Sequence, residues 1–184
     1  MAKFRNKYRI ESARLQGWDY RNPGAYFLTV CTRNRVHHFG ECRGGQMKLS
    51  TIGLIVQGCW FEIPRLNHHV RLGEFIVMPN HIHGILILDK MDIDDDTIDN
   101  PNIHLSAQSQ YFSEISPKSG SVSRILGSFK SACSLHIHQT FPDVDFEWQE
   151  RFYDHIIRND KSFVRISNYI VNNPLKWEDD KFYD

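Results

Sequence analysis

The sequence predicts one α+β domain over residues 1–184, an antiparallel sheet with helices on one face. Runs rich in β-branched and aromatic residues alternate with stretches at helical spacing. Two of the apolar runs flank a Pro79-Asn80 turn, which makes them antiparallel neighbours. A length of 184 residues supports one sizeable core and is short for two.

The elements follow in order. Gly24–Thr32 reads as a first strand, bounded by Asn22-Pro23-Gly24 before it and Arg33-Asn34-Arg35 after it. Ser50 or Thr51 can cap a helix running to about Glu62 or Ile63, with Ile52, Ile55, Val56 and Cys59 or Trp60 on one side and Pro64 as its stop. Strands at Val70–Met78 and His83–Leu88 come next. Asp89–Gly120 is acidic, polar and weakly periodic, and reads as a mobile loop or a connector between protomers. Ser121 or Ser123 opens a helix through Gln139, with Val122, Ile125, Leu126, Phe129 and Cys133 at helical spacing. Phe141–Glu150 is a connection with a short strand near Phe146–Gln149. A last helix covers Lys161–Asn172 and stops before Pro174.

Composition narrows the class. With 41% hydrophobic and 24% charged residues the chain is an ordinary globular one. No apolar run nears the roughly 20 residues of a membrane span, and the basic start has no apolar stretch behind it. A cytoplasmic protein without membrane attachment is therefore expected. The four cysteines stand far apart with no Cys-x-x-Cys, which suits free thiols. A net charge of zero hides a division: residues 1–72 carry 12 Lys/Arg against 4 Asp/Glu, and 73–120 carry 2 against 8. The basic part also holds Tyr8, Trp18, Tyr20 and Tyr26, a mixture that suits phosphates and unpaired bases as well as it suits a solvated surface.

Two constellations carry chemistry. His81 and His83 are two apart beside a strand, so both imidazoles project from one face and can hold one metal ion. Tyr169 and Asn173 are four apart in a helical stretch and share a face. A phenol can attack a metal-polarised phosphate, and an amide oxygen can be a hard third ligand on Mg2+ or Mn2+. Each also has a plain structural reading: one solvent-facing and one core histidine, a packed helix aromatic, and a helix C-cap. Tyr153, next to His155 and between Arg151 and Arg158, is a second candidate nucleophile. The pairs His37-His38, His68-His69 and His136-x-His138 do not converge on a strand or helix and read as surface residues.

Four segments together carry a resemblance: Pro79-Asn-His-Ile-His-Gly84, Ser123–Ala132, Trp148–Arg158, and Asn168-Tyr-Ile-Val-Asn-Asn-Pro-Leu-Lys-Trp177. With Tyr26–Arg35 added, nearly the whole chain resembles the single-tyrosine HUH transposases, most closely the REP-associated tyrosine transposases. The resemblance implies a ferredoxin-like core acting on single-stranded or hairpin DNA, with His81, His83 and Asn173 as metal ligands and Tyr169 as nucleophile. It implies a 5′-phosphotyrosine intermediate, a Mg2+ or Mn2+ cofactor, a homodimer and association with the nucleoid. Arg33, Arg35, Lys130, Gln149, Arg151 and Arg158 are the candidate DNA contacts. The alternatives are a binder of hairpin nucleic acid that no longer cuts, and a phosphodiesterase in which water attacks.

Overall fold

Alternation along the strand Gly24–Cys31 decides the architecture. Tyr26, Leu28 and Val30 are buried in one large cluster, while Ala25 and Phe27 pack in a second, smaller one. Both faces of the sheet are therefore covered. The computed structural model describes residues 17–90 and 118–183, with the backbone of 3–4 and 7–8. The acidic loop read at 89–120 lies outside the described residues except at its two ends.

Strands β1 (Lys3–Phe4) and β2 (Lys7–Tyr8) pair with each other. The core then runs β3 (Gly24–Cys31), a hairpin of β4 (Gly40–Arg43) and β5 (Gln46–Leu49), α1 (Thr51–Phe61), α2 (Ile63–Leu66), β6 (Val70–Met78) and β7 (His81–Leu88). It ends with α3 (Val122–Thr140), β8 (Tyr153–Ile157), α4 (Asp160–Val171) and a 3₁₀ segment, Asn173–Asp179. The main sheet has the order β6-β7-β3-β8 with every neighbouring pair antiparallel. Strand β3, helix α1, strands β6 and β7, helix α3 and strand β8 are the βαββαβ sequence of a ferredoxin-like fold.

Helices α1 and α3 lie on one face, as expected, and form the larger core. Trp60 of α1 stacks on Phe75 at 4.7 Å and 10°, and Phe129 of α3 meets it edge-on at 5.5 Å. Gly84 makes room for this layer: a Cβ there would overlap the Trp60 ring. Helix α4 occupies the opposite face through Phe163, Ile166 and Ile170, packed with Phe27, Ile76 and Ile85. Its i, i+3, i+7 spacing makes one apolar stripe.

The caps explain the helix starts. Ser50 accepts from the Gly53 N–H, Ser121 from that of Arg124 and Asn159 from that of Ser162, each satisfying a first-turn donor. Pro64 does not simply stop α1. It sits in the first turn of α2, where no N–H is required. Several elements differ from the sequence reading. The short strand near Phe146–Gln149 reduces to a single bridge between Thr32 and Trp148, and the edge strand is β8 instead. The β4–β5 hairpin was not anticipated at all; Gly44 and Gly45, both at positive φ, make its turn. Among the described residues no helix is long and apolar enough to cross a membrane, and all four cysteines are free.

Candidate metal centre

Strand β7 begins at His81, so both histidines sit inside the strand, and residues of one parity face α4. His81 and His83 are 0% and 1% exposed, with their Nε2 atoms 3.1 Å apart. Burial pushes the His83 imidazole down to about 4 and His81 well below its ordinary value, so both rings are neutral at pH 7. Neighbours fix the rings from behind. Asn80 Oδ1 lies 2.8 Å from Nδ1 of His81, and Thr29 Oγ1 lies 2.9 Å from Nδ1 of His83. With Asn80 as acceptor, the His81 proton is held at Nδ1 and its Nε2 presents a lone pair, the arrangement second-sphere partners give to metal-binding histidines.

Helix α4 brings the phenol. Ile166 and Ile170 anchor the helix, and Tyr169 between them lies with its ring 5.2 Å from His83 and edge-on to Phe27 at 6.1 Å. Its hydroxyl is 3.2 Å from Nε2 of His83, while the residue keeps 40% exposure. Burial pushes the phenol up to about 12, and the Asp180 carboxylate adds to the rise. Asn173 lies just past the helix, in the 3₁₀ segment that follows the C-cap Asn172. Its Nδ2 donates to Asp180 Oδ2 at 3.0 Å, and its buried Oδ1 has no protein partner.

Asp180 is the residue the sequence reading missed. Its carboxylate accepts from the Tyr169 hydroxyl at 3.4 Å, and with His81 and His83 it offers ligand atoms within 4.8 Å of one another. Residues 180–182 lie over the histidines. Asn80 Nδ2 donates to the Phe182 carbonyl at 2.6 Å, and the Phe182 ring stands 4.6 Å from that of His81. Only its position in a run of three acids, Glu178-Asp179-Asp180, marks Asp180 in the sequence, and such a run usually reads as solvated surface.

The donor set fits a divalent cation. Two neutral imidazoles and one carboxylate converge, and Asn173, bonded to that carboxylate through Nδ2, keeps a buried amide oxygen without a donor, which is uncommon. That set can hold an ion beside an accessible phenol.

The candidate DNA contacts are distributed differently. Arg33, Arg35 and Gln149 line a groove of about 620 Å³ beside the centre, together with Asn34 and Trp148. Arg33 is ion-paired with Glu147. Arg35 donates to the Lys181 carbonyl at 2.8 Å and lies over the Phe182 ring. Lys130 donates to the carbonyls of Gln149 and Glu150, holding the groove's far wall. Arg151 and Arg158 are exposed at the two ends of β8.

No family model matches the sequence. An uncharacterized protein of Haemophilus influenzae is 35% identical over 172 residues, covering 94% of this chain and 92% of that one. Among solved structures, a REP-associated tyrosine transposase bound to a REP hairpin superposes with a TM-score of 0.58 at 21% identity, over 91% of this chain and 74% of that chain. That likeness is one of fold.

Proposed function

Since the chain belongs to one family with the Haemophilus influenzae protein and has the fold of the hairpin-bound transposase, we propose that it is a metal-dependent strand transferase of single-stranded DNA. The observation that carries this reading is the Tyr169 hydroxyl at 3.2 Å from Nε2 of His83, in a site that also holds Asp180 and the unpartnered amide oxygen of Asn173.

His81, His83 and Asp180 would hold the cation, with Asn173 Oδ1 as a further oxygen donor. Two nitrogens in the set suit Mn2+ better than Mg2+. A bound ion of this kind would draw charge from a non-bridging phosphate oxygen. Tyr169 Oη attacks the phosphorus, its proton facing Asp180 Oδ2. The bond from phosphorus to the 3′ oxygen breaks, and that oxygen leaves as a 3′ hydroxyl after taking up a proton. The 5′ phosphate stays on the tyrosine. A second 3′ hydroxyl can then attack the same phosphorus, expel the phenol and rejoin DNA without ATP. An unassisted phenol is a poor nucleophile at neutral pH, and burial makes this one poorer, so the surrounding charge has to be matched to the reaction.

The proposed substrate is a hairpin of the REP type, the kind of DNA bound in the structural neighbour, carrying a single-stranded flank. The groove of Arg33, Arg35 and Gln149 would take the flank, and Arg151 and Arg158 its backbone. This work belongs with chromosomal DNA in the cytoplasm. The proposed homodimer would hold two DNA ends together.

Incubation with a labelled single-stranded hairpin and Mn2+ tests the reading. An SDS-stable protein–DNA adduct is expected. Salt-dependent binding with no cleavage in either Mg2+ or Mn2+ would favour the inactive hairpin binder. Cleaved products without a protein-linked species would favour attack by water.

A further inference from the structure

Register sets four side chains in a row across the sheet face that carries the histidines. Ile76 of β6 lies opposite His83 of β7, His83 opposite Thr29 of β3, and Thr29 opposite Tyr153 of β8. Adjacent strands are about 4.8 Å apart, so Tyr153 is rooted about two spacings, roughly 10 Å, from His83. The two ends of this row differ. Ile76 is packed with the α4 residues Ile166 and Ile170, whereas Tyr153 stands on the edge strand with 45% exposure. The Lys181 ammonium sits 5.6 Å from the Tyr153 ring centroid and 4.8 Å from that of Phe182, whose ring covers His81. An accessible aromatic face and a cation thus stand between the sheet edge and the metal centre.

A DNA strand with one phosphate at that centre has to leave it across some rim. The α4 side is filled by apolar packing. The β8 side offers an exposed aromatic ring with the Lys181 ammonium over it, a ring and a cation of the kind with which proteins hold unpaired nucleotides. We propose that Tyr153 is a stacking platform for the nucleobase adjoining the phosphate bound at the centre, with Lys181 set against the backbone of that nucleotide. This rests on the strand-transfer reading and gives Tyr153 a positioning role. Two strand spacings separate it from His83, whereas the Tyr169 hydroxyl is within 3.2 Å. Every base has a π-face, so this subsite grips without reading sequence, and discrimination falls to the polar groove of Asn34, Arg35 and Gln149.

The test measures binding of fluorescent oligothymidylate and of a base-free deoxyribose-phosphate strand of equal length, without metal. The native protein should prefer the base-bearing strand. Tyr153→Ala should weaken that strand about tenfold and erase the preference while leaving the base-free strand unchanged; Tyr153→Phe should behave as native. A preference that survives Tyr153→Ala, or is lost equally in Tyr153→Phe, overturns the platform. The adduct assay separates the two readings. If Tyr153→Phe binds DNA normally but forms no adduct, Tyr153 is the nucleophile and this proposal is wrong. If the native protein forms none, the strand-transfer reading falls while the binding comparison still decides the subsite.

Discussion

The phenol of Tyr169 and the imidazole of His83 come from residues 86 apart in sequence, yet their polar atoms stand 3.2 Å apart across the interface of α4 and the sheet. That contact ties the proposed nucleophile to the proposed ligand set, and it can be tested one atom at a time.

Tyr169→Phe removes one exposed oxygen and keeps the ring against Phe27. Adduct formation should fall by at least about 10³-fold, with affinity for single-stranded DNA unchanged and stability altered by no more than about 1 kcal/mol. An SDS gel with labelled hairpin, a binding titration and a thermal melt check all three. A residual adduct of native yield would move the chemistry elsewhere.

Thr29→Val keeps volume and strand propensity but deletes the hydroxyl at 2.9 Å from His83 Nδ1. Affinity for Mn2+ should drop about 10- to 100-fold, because the ring loses the partner that fixes its orientation. Calorimetric titration with Mn2+ reads this directly. An unaltered affinity would mean that Thr29 only packs.

Asp180→Asn and Asn173→Ala separate the two oxygen donors. If the carboxylate is a ligand, Asp180→Asn should weaken Mn2+ at least tenfold, and Asn173→Ala should weaken it less, because a neutral amide binds a cation more weakly than a charged oxygen. The reverse order would identify Asn173 as the principal oxygen. Chelation with EDTA should abolish the adduct in every variant, and added Mn2+ should restore it in the native protein.

Gly84→Ala should destabilise the fold by about 1–3 kcal/mol, since the new methyl overlaps the Trp60 ring inside a stacked aromatic layer. Urea denaturation should show an earlier midpoint with an unchanged slope. Combining it with Trp60→Phe should recover part of the loss, and non-additivity of that size is the signature of direct contact.

Much of this arrangement was legible in the sequence. Apolar runs rich in β-branched residues and bounded by turn residues gave β3, β6 and β7, and helical spacing with Ser caps gave α1 and α3 to within a residue or two. The pair His81 and His83 was visible because a strand puts alternate residues on one side. Three core strands escaped because they are short and polar: β8 reads Tyr-Asp-His-Ile-Ile, with no clean alternation, and β4 and β5 announce their hairpin only through Gly44-Gly45. Asp180 escaped for another reason. Its position depends on a 3₁₀ segment pinned by buried Trp177 and on the Asn80 bond to the Phe182 carbonyl, contacts spanning up to 102 residues that no local pattern encodes.

Because β7 alternates strictly, sliding it by a single residue against β3 would thrust both imidazoles into the aromatic layer and turn Ile82 toward the phenol. No intermediate frame retains partial chemistry. A molecule that has aligned this strand correctly has also set the paired imidazoles of the candidate cation site, and one that has not has neither the packing nor the pair. Assembly of the fold is thereby its own proofreading step for competence.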